Sequence, residues 1–330
     1  MKIFAMHERA WVQAALLALI SAAIGAGPSA YSAPAQDPPP SKSPELIHVT
    51  VTAKGHDNAA PPPVAQNDVI VRQGNDRRPV VEWVSAKDRH AGLDLAILID
   101  NSLDSSLGLQ LSDISNFIHS LPPSTRVAIY YSEYGSAKPA QAFTVNRDLA
   151  AKALRLPLGR SQQGASIFQA TSNLLKHWPG GSSRNRRAVL LISNGIDLFR
   201  GVTDSNPGAN MDLQEAIDSA QRAEVTFYTI FANGSPVSSS GNSFLISNGQ
   251  GCLNRITSET GGEAFFQGLQ TPLSFAPYLH QLSKLLGQQY RLTFRAQLGK
   301  KRDFVPLKVT TELSGVELQA PARVFVPAAR

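Results

Sequence analysis

The chain has 330 residues, of which 42% are hydrophobic and 17% are charged. This composition excludes a predominantly disordered chain, because disordered proteins are poor in apolar residues and rich in net charge. The net charge of +6 is a mild excess for this length and excludes a strongly basic protein of the histone type. The single cysteine, Cys252, excludes an intrachain disulfide and any metal site built from several thiolates.

The first 35 residues have the composition of a secretory signal peptide. Lys2 and Arg9 give a positive start, residues 11–24 are apolar, and small residues typical of a cleavage site follow. The alternative is an uncleaved anchor helix, but the apolar stretch is shorter than the roughly 20 residues that a membrane-spanning helix needs. We therefore predict an exported protein, periplasmic or secreted, that has no transmembrane segment after cleavage of residues 1–35.

A short β-rich region follows the predicted signal peptide. Residues 36–47 are rich in Pro and Ser and are predicted to be a linker. Residues 48–88 are predicted to be an N-terminal β element, in which strands at 68–72 and 79–84 form a hairpin around a turn-forming sequence.

The C-terminal segment, residues 289–330, is also β-rich. Its three runs of β-forming residues lie at 290–296, 304–310 and 316–326. We expect these strands to pair with the N-terminal β element and to form a small β module beside the main sheet.

The central region, residues 91–288, alternates between buried strands and amphipathic helices. Its first strand is a nearly continuous apolar run at 93–99, as is typical of a central parallel strand. Asp212 and Glu215 form a capping-box pattern that predicts the start of a helix, whereas residues 233–251 are predicted to be a mobile loop. The alternation predicts an α/β fold with a doubly wound, mostly parallel sheet and helices on both faces.

Polar side chains follow two of the central strands. Asp100, Ser102 and Asp104 come directly after the first strand, and Asn194 and Asp197 come after a later one. In open α/β sheets, ligands bind at the carboxyl ends of the strands. We therefore expect these five side chains to meet at one edge of the sheet.

This layout resembles the von Willebrand factor type A (vWA) family from about Leu93 to Tyr290. The segment 100–104 is similar to the family's Asp-x-Ser-x-Ser motif, and the segment 193–197 is similar to its Thr-Asp-Gly motif. The stretch Thr260-Gly261-Gly262-Glu263 and the following Gln289-Tyr290-Arg291-Leu292 are similar to a subgroup of exported bacterial vWA-related proteins. The resemblance implies the doubly wound fold that the alternation predicts.

The resemblance also implies a divalent-cation site at the same edge. In the family, Ser and Thr hydroxyls and Asp carboxylates hold Mg²⁺, and a carboxylate of the partner completes the coordination. Asp100 and Ser102 match the family motif, whereas Asp104 stands where the second Ser belongs. The metal ligands implied here are therefore Asp100, Ser102 and Asp104.

The family also has a Gly-Gly-Thr motif before a middle helix, and this motif and the Thr-Asp-Gly motif are less well matched here. Ala165 falls at the Thr position, with Ser166 one residue later, and Asn194 replaces an Asp, although Asp197 keeps the trailing acid. One interpretation is a degenerate site in which Asp100 and Ser102 cap the following helix and hold the loop by hydrogen bonds. The alternative is a rebuilt Mg²⁺ site in which Asp104 restores the charge that is lost at Asn194.

The leading hypothesis is an exported, non-catalytic binding protein without a cofactor. It is predicted to recognise another protein through residues 100–105, 164–166, 194–197 and 233–251, and no nucleic acid is expected as a partner. The sequence lacks a Gly-x-Ser-x-Gly elbow, a Walker motif and a His-Glu-x-x-His motif, which argues against the common enzyme classes.

Three alternatives stay open. The first is a metal-dependent vWA adhesion module, and the second is a metal-assisted hydrolase that uses Asp100, Asp104 and Asp197 to activate water. The third is a structural role in which the β module contacts the cell envelope.

Two smaller features complete the predictions. Arg184, Arg186 and Arg187 form a basic cluster before a strand, which is predicted to be a solvated loop, with phosphate binding as the alternative. Cys252 is predicted to be a buried free thiol rather than an exposed thiol that forms an intermolecular disulfide.

Overall fold

The structure is a computed structural model. The predicted signal peptide, most of the predicted linker, Gly164, Arg184 and residues 235–241 of the predicted mobile loop lie outside the part of the chain that it describes. The residues described are 45–56, 59–159, 165–180, 185–234, 242–265, 268 and 270–329.

The secondary structure follows the predicted alternation in the centre of the chain and is mostly β at both ends. The strands are β1 (Leu46–Gly55), β2 (Val69–Gln73), β3 (Asp76–Arg78), β4 (Val80–Ser85), β5 (Leu93–Ile99), β6 (Thr125–Glu133), β7 (Ser136–Thr144), β8 (Arg186–Ser193), β9 (Val225–Phe231), β10 (Ala264–Phe265), β11 (Gln289–Arg295), β12 (Asp303–Thr311), β13 (Val316–Gln319) and β14 (Arg323–Val326). The helices are α1 (Leu111–Ser120), α2 (Arg147–Lys152), α3 (Ile167–Lys176), α4 (Met211–Arg222), α5 (Ser243–Thr260) and α6 (Ala276–Gly287).

The central sheet is doubly wound. Its six strands lie in the order β10-β9-β8-β5-β6-β7, and all neighbours are parallel except the edge strand β7. The strand order reverses between β5 and β8, where Ile99 is in register with Ile192. The predicted α/β class with a doubly wound, mostly parallel sheet is therefore confirmed, with its switch point at the ends of these two strands.

The central sheet is covered on both faces because its strands are apolar on both sides. Every residue of β5 is buried. One apolar cluster packs α1 and α6 against the first face, and a second cluster packs α3, α4 and α5 against the other. Such all-buried strands are typical of parallel sheets between two helical layers.

The strands at the two ends of the chain form two further sheets. One has the order β13-β1-β11-β4 and the other the order β14-β12-β2-β3, so each combines N-terminal and C-terminal strands. Their inner faces share one apolar cluster that includes Val51, Val71, Phe294 and Val309. The predicted β module is therefore confirmed.

Two predicted strand assignments in the β module are wrong. The hairpin consists of β2 and β3, whereas β4 pairs with β11 in the other sheet. Pro79 separates β3 from β4, and a proline cannot donate to a strand ladder. The run predicted at 316–326 is likewise two strands in different sheets, separated by Pro321.

Two predictions in the α/β region are also wrong. Residues 243–260 form α5, although their Ser, Gly and Asn content predicts a loop up to residue 251. The helix forms because Leu245, Ile246, Leu253 and Ile256 are buried on one face, which outweighs the low helix propensity of the sequence.

The start of α4 differs from its prediction in the residue that caps it. The Asn210 side chain accepts a hydrogen bond from the backbone N–H of Leu213 and is the N-cap. Asp212 instead contacts Gln169 and Arg200. Asn is among the strongest N-cap residues, so it takes the position two residues earlier than the capping-box pattern indicates.

Residues 44–330 form one compact unit, and the proposed boundaries at 88, 91 and 288 within it stay predictions. β1 begins at Leu46 and so includes the last two residues of the predicted linker. Among the described residues, no helix is both long and apolar enough to cross a bilayer.

Candidate functional site

The loop after β5 is organised by one buried carboxylate. Asp100 is in the first position after the strand, and its Oδ1 accepts a hydrogen bond from the backbone N–H of Ser102 at 2.9 Å. The same oxygen accepts from the hydroxyl of Ser132 at 3.2 Å, and Oδ2 accepts from the hydroxyl of Ser193 at 2.7 Å. The carboxylate therefore links the ends of β5, β6 and β8.

The two serines that bind Asp100 were not among the predicted site residues. Ser132 also accepts a hydrogen bond from the backbone N–H of Asn101, and Ser193 accepts one from the N–H of Gly195. Each hydroxyl is thus fixed by one donor and one acceptor. The available signal was a polar residue at the end of an otherwise apolar strand, both after Tyr131 and after Ile192.

Asp104 has a separate role from Asp100. Its Oδ1 accepts a hydrogen bond from the backbone N–H of Ser106 at 2.7 Å, so that it caps the 3-10 helix Ser105–Gln110. The N-cap of this helix is therefore Asp104 rather than Asp100 or Ser102.

Ser166 and Asp197 form a second buried network at the same edge. The Ser166 hydroxyl donates to Asp197 Oδ2 at 2.6 Å and accepts from the backbone N–H of Phe168 as the N-cap of α3. Asn210 Nδ2 donates to the same carboxylate oxygen at 3.1 Å, and the N–H of Phe199 donates to Oδ1 at 3.0 Å. Ser166, not Ala165, thus supplies the hydroxyl at this position.

Asn194 lies between the two networks and holds the turn after β8. Its Oδ1 accepts from the N–H of Ile196 at 2.9 Å, and Gly195 follows in a left-handed conformation with φ of 67°. Gly249 of α5 packs directly against the backbone of this turn, where a β-carbon on either glycine would overlap the other segment. The first half of α5, which the sequence predicts to be a loop, therefore forms one wall of the site.

Arg155 covers the opposite side of the Asp100 loop. Its guanidinium donates to Asn101 Oδ1 at 3.1 Å and lies 3.8 Å from the ring centroid of Tyr131. The Tyr131 hydroxyl donates to the backbone carbonyl of Arg155 and accepts from its N–H. Burial raises the pKa of Tyr131, so that the hydroxyl keeps the proton that this contact uses.

The six predicted site residues therefore lie at one edge but in distinct networks. Both oxygens of Asp100 and both oxygens of Asp197 accept hydrogen bonds from protein donors. A Mg²⁺ ion needs about six oxygen ligands in near-octahedral geometry. Each of these carboxylates therefore already has protein donors, and within the described ranges no group of three or more His, Cys, Asp or Glu side chains is placed to hold a metal ion.

Exposed apolar side chains are concentrated around this edge. They lie in the loops and helix starts that follow the carboxyl ends of the parallel strands, or in the segment that leads into α3. We name this set the apolar rim, and its members are Leu109, Tyr134, Leu156, Leu158, Leu198, Phe199, Val202, Met211, Phe244 and Leu273.

Contacts between the loops bring parts of the apolar rim together. Gln110 Nε2 donates to the backbone carbonyls of Pro272 and Leu273, which places Leu273 beside the helix that carries Leu109. The Leu156 side chain lies against Gly108 of the same helix. Leu273 is 94% exposed, so this part of the rim is open to a partner.

Tyr134 stands out within the apolar rim. It occupies the first position of the two-residue turn between β6 and β7, with φ of 46°, and Gly135 follows with φ of 73°. Such turns favour Asn, Asp or Gly, because a bulky residue is strained in the left-handed region. The side chain is 76% exposed and therefore gains little packing in return.

Comparison with known proteins gives matches only at the level of structure. No protein-family model and no curated protein sequence matches the chain. It is similar to an aerotolerance-related membrane protein from Bacteroides fragilis NCTC 9343, with 13% identity and a TM-score of 0.43 over 59% of this chain and 98% of the other.

Two further solved structures show similarity of the same order. The conserved hypothetical protein BatB from Bacteroides thetaiotaomicron has 16% identity and a TM-score of 0.44, over 59% of this chain and 98% of that chain. The SpRpn10 VWA domain has 13% identity and a TM-score of 0.34, over 55% of this chain and 96% of that chain. Similarity at this level says nothing about what the chain binds.

Proposed function

We propose that the chain is an exported, non-catalytic protein that recognises another protein through the carboxyl edge of its central sheet. The observation that carries this proposal is the apolar rim, because exposed apolar side chains that are concentrated at one edge of a folded chain are typical of interaction surfaces. Tyr134 strengthens it, since an exposed tyrosine on a strained turn is explained by an external contact.

The proposed recognition does not depend on a bound metal ion. In a metal-dependent adhesion site, carboxylate and hydroxyl oxygens must be available to the ion. Here the Asp100 carboxylate is engaged by Ser102, Ser132 and Ser193. These hydrogen bonds support a structural role for the acidic residue and leave contact with the partner to the rim.

The hydrolase alternative has less support. A metal-assisted hydrolase needs carboxylates that share an ion or a water molecule. Asp100, Asp104 and Asp197 instead accept hydrogen bonds from different sets of donors, and Asp104 caps a helix. Turnover of a phosphoester or peptide substrate with Mn²⁺, lost in Asp100→Asn, would be the result that favours this alternative.

The proposal that the chain is exported depends on the sequence of residues 1–35, which has a positively charged start and a short apolar stretch. The expected outcome is that expression of the full chain yields a product shortened by about 35 residues outside the cytoplasm. N-terminal sequencing of that product tests cleavage independently of any binding assay.

Capture of the partner from the exported fraction tests the recognition surface. We expect Phe199→Asp and Tyr134→Asp to reduce capture by about tenfold or more, because a charge in a buried apolar contact is strongly unfavourable. Aspartate is well tolerated in a left-handed turn, so Tyr134→Asp leaves the hairpin intact.

The matched control is Leu149→Asp. Leu149 is an exposed apolar residue of α2, at the opposite edge of the sheet, where α2 packs beside the end of α1. The proposed surface is contradicted if Leu149→Asp reduces capture as much as the rim substitutions do. It is also contradicted if neither Phe199→Asp nor Tyr134→Asp changes capture.

The metal-dependent version of the proposal is tested separately by calorimetric titration with Mg²⁺ and Mn²⁺. The expected outcome is no binding heat and capture that is unchanged by a chelator, because both carboxylate oxygens of Asp100 already accept hydrogen bonds from the protein. Binding heat that is lost in Ser102→Ala would favour the adhesion-module alternative instead.

A further inference from the structure

A second site lies at the amino-terminal edge of the central sheet, on the opposite side from the apolar rim. It is a cleft of about 580 Å³ between β1, β4 and β11 of the β module and the start of β8 with the end of α4. Its volume is within the range of small-molecule sites, which often form where two modules meet. We name it the interface cleft.

The walls of the interface cleft carry an excess of positive charge. Arg186, Arg187, Arg222 and Arg291 line it, against the carboxylates of Glu82 and Glu224. The predicted solvated loop at the basic cluster is therefore wrong for Arg186 and Arg187, which lie on β8 and face this cleft. Clustered arginines in a concave site favour an anionic ligand.

Three of the arginines are held in place by the protein. Arg186 donates to the backbone carbonyls of Leu286 and Ala91 at 2.9 and 3.1 Å, and Arg187 donates to that of Ala223 at 3.0 Å. A carbonyl acceptor carries no net charge, so these hydrogen bonds do not neutralise the guanidinium groups that they hold. Arg291, by contrast, forms an ion pair with Glu82 at 3.1 Å.

Arg222 is the arginine best placed to contact a ligand directly. Within the described residues its guanidinium makes no hydrogen bond or ion pair, and it lies 4.9 Å from the ring centroid of Phe304 and 5.4 Å from that of Phe325. The two rings fix the side chain, while its N–H groups stay available for a carboxylate or phosphate.

Glu224, which also lines the interface cleft, has an unusual backbone conformation. It follows α4 with φ of 55°, a conformation that is strained for a residue with a long side chain. Its negative charge opposes an anion, so it should limit rather than provide anion affinity.

We propose that the interface cleft binds a small polyanion with at least two carboxylate or phosphate groups, and that the Arg222 guanidinium contacts one of them. The site is independent of the apolar rim, so either proposal can fail without the other.

Calorimetric titration with citrate and with pyrophosphate, at an ionic strength matched with potassium chloride, tests the interface cleft. The expected result is binding of one or both anions with a dissociation constant of about 100 μM or lower. Binding of citrate alone assigns the site to carboxylates, and binding of pyrophosphate alone assigns it to phosphates. No binding heat with either anion would overturn the proposal.

Two variants locate the binding. Arg222→Gln should weaken it by about tenfold, and Glu224→Gln should strengthen it severalfold. Arg302→Gln is the matched control, because Arg302 is exposed in the turn between β11 and β12 and the substitution removes the same charge. Equal losses in Arg222→Gln and Arg302→Gln would overturn a specific site, and circular dichroism shows whether each variant is folded.

Discussion

The buried carboxylate of Asp100 joins three strand ends that are far apart in the sequence. It accepts hydrogen bonds from Ser132 and Ser193 while it also holds the backbone of its own loop. Replacement by the nearly isosteric Asn keeps the shape but removes the charge and turns one acceptor into a donor that faces a hydroxyl.

Asp100→Asn is therefore expected to destabilise the protein by about 2 kcal/mol, since hydrogen bonds to charged groups contribute more than neutral ones. Urea unfolding followed by circular dichroism measures the change. Asp104→Asn is the control, because Asn and Asp are nearly equivalent as N-caps, and it should change stability by less than about 0.5 kcal/mol. Equal losses in the two variants would contradict the network.

Cys252 is a buried thiol, as predicted. Burial raises its pKa to about 12, with the nearby charge of Asp197 acting in the same direction. Because the folded thiol keeps its proton, its contribution to stability is present at neutral pH and is lost as the pH rises from the ordinary thiol value toward about 12.

The native protein should therefore react with a thiol reagent such as dithionitrobenzoate far more slowly than an exposed cysteine, even at about pH 8, because the thiolate is the reactive form. The same chain unfolded in guanidinium should react at the rate of a free thiol. Fast reaction under native conditions would show that α5 opens readily.

At the scale of elements, α5 is held against the site by a close approach of two backbones. Gly249 lies in the middle of the helix, where its missing side chain lets the Asn194–Gly195 turn pack against it. Helix propensity alone predicts that Ala at this position stabilises by about 1 kcal/mol. The close packing of the two backbones predicts instead that Ala at this position destabilises the protein.

Gly249→Ala should destabilise the protein by about 1–3 kcal/mol, because the new methyl group overlaps the Asn194 carbonyl and forces the helix outward. Ser247→Ala serves as the control, since Ser247 is exposed on the same helix and Ala is the better helix former. Thermal unfolding of both variants measures the difference, and a stabilising Gly249→Ala would exclude the close approach.

At the scale of the whole molecule, polar contacts join the β module to the α/β sheet. Gln289 donates to the Tyr228 hydroxyl at 2.9 Å, and Arg323 forms an ion pair with Asp218 at 2.9 Å. Lys54 pairs with Glu263 at 2.6 Å. β11 follows α6 directly, so that unfolding of one part removes contacts from the other.

We therefore expect residues 44–330 to unfold in one cooperative transition. Trp83, which stacks on Tyr290 at 4.4 Å, reports on the β module, and Trp178 reports on the α/β sheet. In a chain that lacks residues 1–35, the fluorescence of Trp178→Phe and of Trp83→Phe should give the same urea midpoint. Two distinct midpoints would show that the parts unfold independently.

The sequence by itself determined the fold class and the place of the site. The apolar run at 93–99 and the helical spacing after it need no distant partner to be recognised, because buried parallel strands and amphipathic helices differ in the period of their apolar residues. Asp100 and Asp197 could also be assigned to the site from the sequence, because polar residues that follow a predicted strand are recognised from their position in the chain.

Only the tertiary structure decided what those residues contact. Ser132 and Ser193 bind Asp100 across sequence separations that no local pattern encodes, and Ser166 rather than Ala165 reaches Asp197. α5 forms because one of its faces is buried against the sheet, although its local propensity is low. The interface cleft exists only where two modules meet, so neither module's sequence pattern can predict it.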